Sequence, residues 1–130
     1  MITIVLPWIN TILLPNEHDG IIQHGTRAGK FAVKAARDDA KQTAYYLALQ
    51  AAFGRDELSA DGDLNVSIEY NPPPRSRPDN DGVHRALKPS LDGIAQALRV
   101  NDYHFNPVRI WRGPHVDGGA VTITIDDLPF

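Results

Sequence analysis

Asp79 and Asp81 stand one residue apart, directly after the stretch Pro72-Pro73-Pro74-Arg75-Ser76-Arg77-Pro78. In extended backbone, residues two apart project to the same side, so both carboxylates can face one point. Arg75 and Arg77 set cations beside them in the same loop. Lys88 follows Asp81 by seven residues, which along an unbroken helix is two turns on and on the same side. Asp102 comes fourteen residues after Lys88, beside Asn101, at the exit of the helical region. Carboxylate oxygens are the ligands that Mg²⁺ prefers, and such sites use few of them together with waters and substrate phosphate. Neighbouring Lys and Arg can hold that phosphate and offset transition-state charge. The same residues have a plainer use, because Asn80 or Asp81 at a helix start after a proline-rich turn is a common cap. Asp92, beside Gly93, reads more readily as a surface or hydrogen-bonded group than as a ligand.

Other chemistries find no support. The five histidines, His18, His24, His84, His104 and His115, lack zinc-ligand spacing. His84 and His104 read as ordinary surface histidines. Cysteine is absent, so disulfides, thiolate metal sites and cysteine nucleophiles are excluded. Neither a Gly-rich phosphate loop nor a Gly-x-Ser-x-Gly elbow occurs, so no nucleotide cofactor is expected.

Elements must position these residues. Ile2 to Leu6 is an aliphatic run closed by Pro7 and reads as a strand. Thr11 to Gly25 reads as loop, with a short strand at Ile21 to Gln23. From about Lys30 to Phe53 the chain is rich in Ala, Lys, Gln and Leu, lacks internal Pro and Gly, and stops at Gly54. Val33, Ala36, Ala40, Leu47 and Ala51 give this helix an apolar face. Lys30, Lys34, Arg37 and Lys41 form a basic stripe, with Asp38 placed to pair with Lys34 or Lys41. Leu64 to Tyr70 alternates as a half-buried strand. Val108 to Trp111 and Ala120 to Ile125 read as strands joined into a hairpin across Gly113 to Gly119. The pattern predicts one α+β domain over residues 1–130, with a long helix and a kinked central helix packed on a mixed sheet.

The run Asp79-Asn80-Asp81-Gly82-Val83, then Leu87-Lys88, Leu91-Asp92-Gly93 and Asn101-Asp102, resembles the signature of the RusA-type Holliday-junction resolvases. LLPNEH and HGTRAGKFAVKAARDDA are similar, less specifically, to that family's loop and first helix. The resemblance implies a small homodimeric endonuclease that uses Mg²⁺, with Mn²⁺ as a substitute, to cut four-way DNA junctions in recombination and repair. It implies Asp79, Asp81 and Asp102 as catalytic carboxylates and metal ligands, and Lys88 as the catalytic lysine. Arg75, Arg77, Lys30, Lys34, Arg37 and Lys41 would then face DNA phosphates. Three residues depart from the common pattern: Gly82 stands for Asn, Asn101 for the first Asp of a pair, and Pro89 interrupts the helix.

An unbroken helix from Asp81 to Leu98 would be about 26 Å long and would carry Asp102 away from Asp79 and Asp81. A break near Pro89 or Gly93 is expected to fold the chain back; the other solution is that Asp102 serves a partner subunit. Thirteen Lys and Arg against sixteen Asp and Glu give a net charge of −3, which argues mildly against nucleic acid as a partner. The cations nevertheless cluster, at Arg27 to Lys41, Arg75 to Lys88 and Arg99 to Arg112. No stretch is long and apolar enough for a membrane span, and no basic residue precedes the first apolar run, so a cytoplasmic protein is expected.

Overall fold

A computed structural model describes residues 1–14, 26–53, 58 and 62–127 of the chain. The strand expected at Ile21 to Gln23, the helix stop at Gly54 and much of the upstream loop lie outside the described residues. Four strands form one mixed sheet: β1 (Ile2–Pro7), β2 (Leu64–Asn71), β3 (Phe105–Arg112) and β4 (Ala120–Asp127). Three helices cover it: α1 (Arg27–Ala52), α2 (Asn80–Ala86) and α3 (Lys88–Leu98). The α+β class and the mixed sheet are as the sequence pattern predicts.

The hairpin between β3 and β4 is not formed. The strand order is β1-β4-β2-β3, with β4 antiparallel to both β1 and β2, and β3 parallel to β2 at the edge. Burial explains the order. Val121, Ile123 and Ile125 of β4 are fully buried and suit a central strand, whereas β3 exposes Asn106, Arg109, Trp111 and Arg112. The segment from Gly113 onward crosses the end of β2: Gly113 N–H donates to Tyr70 O at 2.9 Å, and Val116 N–H to Pro72 O at 3.1 Å. Helices α2 and α3 form the crossover that a parallel β2–β3 pair needs.

Helix α1 starts at Arg27 because Thr26 Oγ1 accepts from Gly29 N–H at 3.0 Å. Its covered face centres on Gly29, Ala36, Ala44 and Ala48, with Val33, Ala40, Leu47 and Ala51 half-buried beside it. Lys30, Lys34, Arg37 and Lys41 are all exposed. The central helical region divides at Leu87, and Pro89 sits in the first turn of α3, where a missing N–H does no harm. Lys88 is therefore not two turns from Asp81 on one helix; it opens a new one. Gly93 is not the break. It lies inside α3, where a Cβ would stand 2.2 Å from Lys41 O and 3.2 Å from Tyr45 N of α1.

Gly93→Ala is expected to force the two helices apart and to lower stability by about 1–3 kcal/mol, as overpacking does. Urea unfolding of the two proteins checks this, and an unchanged midpoint contradicts the close crossing.

Candidate active site

The proline-rich turn before α2 includes Arg75, which holds a positive φ of 75°. Asp79 is extended and caps α2, its Oδ1 accepting from Gly82 N–H at 2.7 Å. The cap is thus Asp79 and not Asn80 or Asp81. Asp81 is exposed in the first turn, where the helix dipole favours a carboxylate. Asn80 fastens this helix start to the sheet: its Oδ1 accepts from the Tyr70 hydroxyl, and its Nδ2 reaches Ile110 O at 3.4 Å.

A second charged group sits at the start of α3. Lys88 Nζ lies 3.0 Å from Asp92 Oδ1 and 2.5 Å from Asp102 Oδ2. The chain returns to this point because Arg99 ends α3 in the left-handed conformation, at φ 58°, and a 3₁₀ turn over Asp102–His104 follows. Asn101 Oδ1 caps that turn by accepting from Tyr103 N–H at 2.9 Å. Lys88 holds the Asp102 carboxyl below the usual carboxylate range, and Asp102 in turn raises the Lys88 ammonium. Asp92 thus serves as an ion-pair partner, and the contact of Asp102 with Lys88 is made within one chain.

A third group was not singled out by spacing. Asp63, just before β2, faces His104 Nδ1 across 3.1 Å and accepts from Asn106 Nδ2 at 3.3 Å. Those two partners hold the Asp63 carboxyl below its ordinary value. Partners 41 and 43 residues away leave no periodic trace in sequence. The contact ties the turn that carries Asp102 to the beginning of β2.

Asp79 and Asp81 stand at the start of α2, and Asp102 stands in the 3₁₀ turn after α3, where it meets Lys88. Among the described residues, no three carboxylate, imidazole or thiol side chains group closely enough to hold a metal. The donor chemistry of Asp79 and Asp81 does suit Mg²⁺, which commonly takes one or two carboxylates and completes its shell with water and phosphate. Oδ2 of Asp79 stands outside the capping bond, while the charge of Asp102 is already balanced by Lys88. Of the expected DNA-facing cations, Lys34 is tied to Asp38 at 2.7 Å. Arg75, Arg77, Lys30, Arg37 and Lys41 are exposed.

The fold and these polar groups define a small α+β domain that carries Asp79, Asp81, Lys88, Asp92 and Asp102 on the crossover between two parallel strands. No family model matches the chain. It is 35% identical over 128 residues, covering 98% of this chain and 78% of the relative, to an uncharacterized protein of Xylella fastidiosa, and it belongs to that protein's family.

Asp79→Ala is expected to cost about 0.5–2 kcal/mol through the lost cap, and Asp79→Asn far less. Thermal unfolding of the two variants separates these outcomes. Lys88→Met is expected to cost less than about 1 kcal/mol at neutral pH, because the pair is largely exposed. The folded Asp102 pKa is depressed, so its contribution is complete above the unfolded carboxylate value and fades as pH falls through the folded one. The folded Lys88 pKa is raised, so its contribution is complete below the unfolded lysine value and fades as pH rises through the folded one. The difference in Tm between wild type and Lys88→Met should therefore be flat near neutrality and shrink at both extremes.

Proposed function

We propose that this chain is a metal-dependent endonuclease that cuts branched DNA, with four-way junctions as its preferred substrate, and acts as a homodimer. The observation that carries this reading is the contact of Lys88 with Asp102. Two residues that the resemblance assigns to one reaction, fourteen apart in sequence, meet on the same crossover that presents Asp79 and Asp81.

Asp79 and Asp81 are the residues that would hold Mg²⁺ or Mn²⁺. Such an ion, when bound, lowers the pKa of an attacking water and polarises a scissile phosphate. Lys88 offers an ammonium that stays charged throughout the neutral range and can balance charge developing on that phosphate. Asp102 orients this ammonium; the resemblance also assigns Asp102 to the metal. Arg75, Arg77, Lys30, Arg37 and Lys41 would position the DNA backbone without reading bases, with Lys34 contributing less because Asp38 shares its charge. A C₂ homodimer would present two equal sites to a substrate of approximate two-fold symmetry. No helix among the described residues is long and apolar enough to cross a membrane. We place the protein in the cytoplasm of a bacterial or phage-infected cell.

One observation favours a second reading. Asp79 already has a structural task as the α2 cap, as it would in a DNA-binding module without catalysis. A nuclease directed at flaps or forks would share the site and differ in the surface that reads substrate shape.

Cleavage of a synthetic four-way junction and of linear duplex, in Mg²⁺ and in EDTA, tests the proposal. Wild type should make paired symmetric nicks in the junction, absent in EDTA and absent for Asp81→Asn, which leaves the Asp79 cap intact. A junction that is bound and left uncut in both Mg²⁺ and Mn²⁺ would make the binding module the correct reading. Preferential cutting of flaps or forks would reassign the substrate.

A further inference from the structure

Helix α1 buries one face in the domain, yet it carries large apolar side chains on the other. Phe31, Tyr46 and Leu49, with Phe53 at the C-terminal cap, are 75%, 58%, 40% and 87% exposed. At roughly 100° per residue these four lie on one stripe, half a turn away from the buried Ala36, Ala44 and Ala48. A single exposed apolar residue needs no explanation, but a continuous row of them marks a contact surface. The row spans about 33 Å at roughly 1.5 Å per residue.

The stripe reads the same from either end. Gln42 stands at its centre. Asp38, Ala35 and Phe31 come four, seven and eleven residues before it, and Tyr46, Leu49 and Phe53 come at the same distances after it. All of them are exposed. In two antiparallel copies of α1 related by a two-fold axis at Gln42, Phe31 would meet Phe53, Ala35 would meet Leu49 and Asp38 would meet Tyr46. An isologous contact requires each residue to find its complement on the same surface. Here ring faces ring, a small side chain faces a larger one, and a carboxylate faces a phenol able to donate to it. Asp38 is the one charge on the stripe, and Lys34 Nζ already balances it at 2.7 Å. A groove of about 290 Å³ beside Gln42, lined also by Asp38, Lys41, Tyr45, Tyr46 and Gln96, leaves room for side chains of the other helix. A foreign partner would impose no such symmetry about one residue.

The area is also sufficient. At roughly 200 Å² for a whole aromatic side chain, the exposed parts of Phe31, Tyr46 and Phe53 amount to about 440 Å² per copy. Two copies offer about 900 Å² before Leu49, Ala35 and Gln42 add their share, and a specific interface needs about 1,000 Å² in total. We propose that the α1 stripe is the homodimer surface of this chain, two copies packing antiparallel about a two-fold axis at Gln42. The inference rests on the homodimer of the preceding reading and names where its subunits meet. Lys30, Lys34, Arg37 and Lys41 lie to one side of the stripe, about a third of a turn round the helix. An axis normal to both helices keeps that side on the same face in both copies. The two basic rows would then join into one surface with the two-fold symmetry of a junction.

The chain has no cysteine, so Gln42→Cys introduces a single thiol. At the axis it would meet its own counterpart, within the Cα separation of about 7 Å that a disulfide allows, and oxidation should yield covalent dimers. Gln50→Cys, exposed on the same helix, would lie about 24 Å along the helices from its counterpart and should not cross-link. Sedimentation equilibrium should show a wild-type dimer. Phe31→Glu, which breaks two symmetry-related contacts at once, should raise its Kd roughly hundredfold or more. Adding Phe53→Lys to Phe31→Glu in the same chain should restore much of the dimer, because the register sets carboxylate against ammonium twice. These are exposed positions, and the cross-link at Gln42→Cys needs no disruption of the fold. A monomer at every concentration, equal cross-linking of the two thiols, or a dimer untouched by Phe31→Glu would overturn the proposal. Junction cutting by the same proteins separates the two readings. An α1 dimer that neither binds nor cuts DNA keeps the surface and overturns the nuclease, whereas a monomer that cuts junctions overturns the dimer alone.

Discussion

The close crossing of α3 over α1 governs where everything else in this domain can lie. With no side chain at Gly93, the Lys41 carbonyl and the Gly93 backbone approach to a distance that even a methyl group would prevent. Ala44 and Ala48 extend the same contact along α1 with small, fully buried side chains. Small residues on both helices let their axes approach, and α3 is thereby held at a fixed height above the sheet. The start of α3 carries Lys88, and the chain leaving its end must return within four residues to Asp102. The position of the Lys88–Asp102 contact therefore follows from the crossing.

Charge is then arranged by tethers at the ends of elements. Asn80 ties the start of α2 to β2 and β3, Asp63 ties the 3₁₀ turn to the start of β2, and Asp102 ties that turn to α3. Each tether is polar and at least partly open to water, so none adds much to stability by itself. Their effect is geometric. They fix the two ends of the β2–β3 crossover, and with them the acidic pair at one end and the lysine–aspartate contact at the other. The chemistry proposed for the domain concerns how these ends cooperate around a phosphate.

Much of this was readable from local pattern. Short aliphatic and β-branched runs marked all four strands, with clear alternation at Leu64 to Tyr70, and the Ala-, Lys- and Leu-rich run marked α1, because burial on one face leaves a pattern that sequence displays directly. Pro89 marked the division of the central helix, since a residue without an N–H belongs in a first turn. The residue types of the candidate site were equally visible: Asp79, Asp81, Lys88 and Asp102 stood out as groups able to bind a cation or a phosphate.

Three-dimensional structure alone decided which of them meet. Strand order depends on how much of each strand's surface is buried from both sides, so β4 lies at the centre and β3 at the edge, although loop length favoured a hairpin. Asp79 proved to be the cap, because a cap is chosen by backbone geometry over one residue and not by composition over five. The partnership of Asp63 with His104, and of Lys88 with Asp102, joins residues far apart in the chain, and no local period encodes such a distance. Sequence determined the elements and the chemical repertoire through local periodicity and residue type. The fold determined the groupings, because they arise only when distant segments are packed against one another.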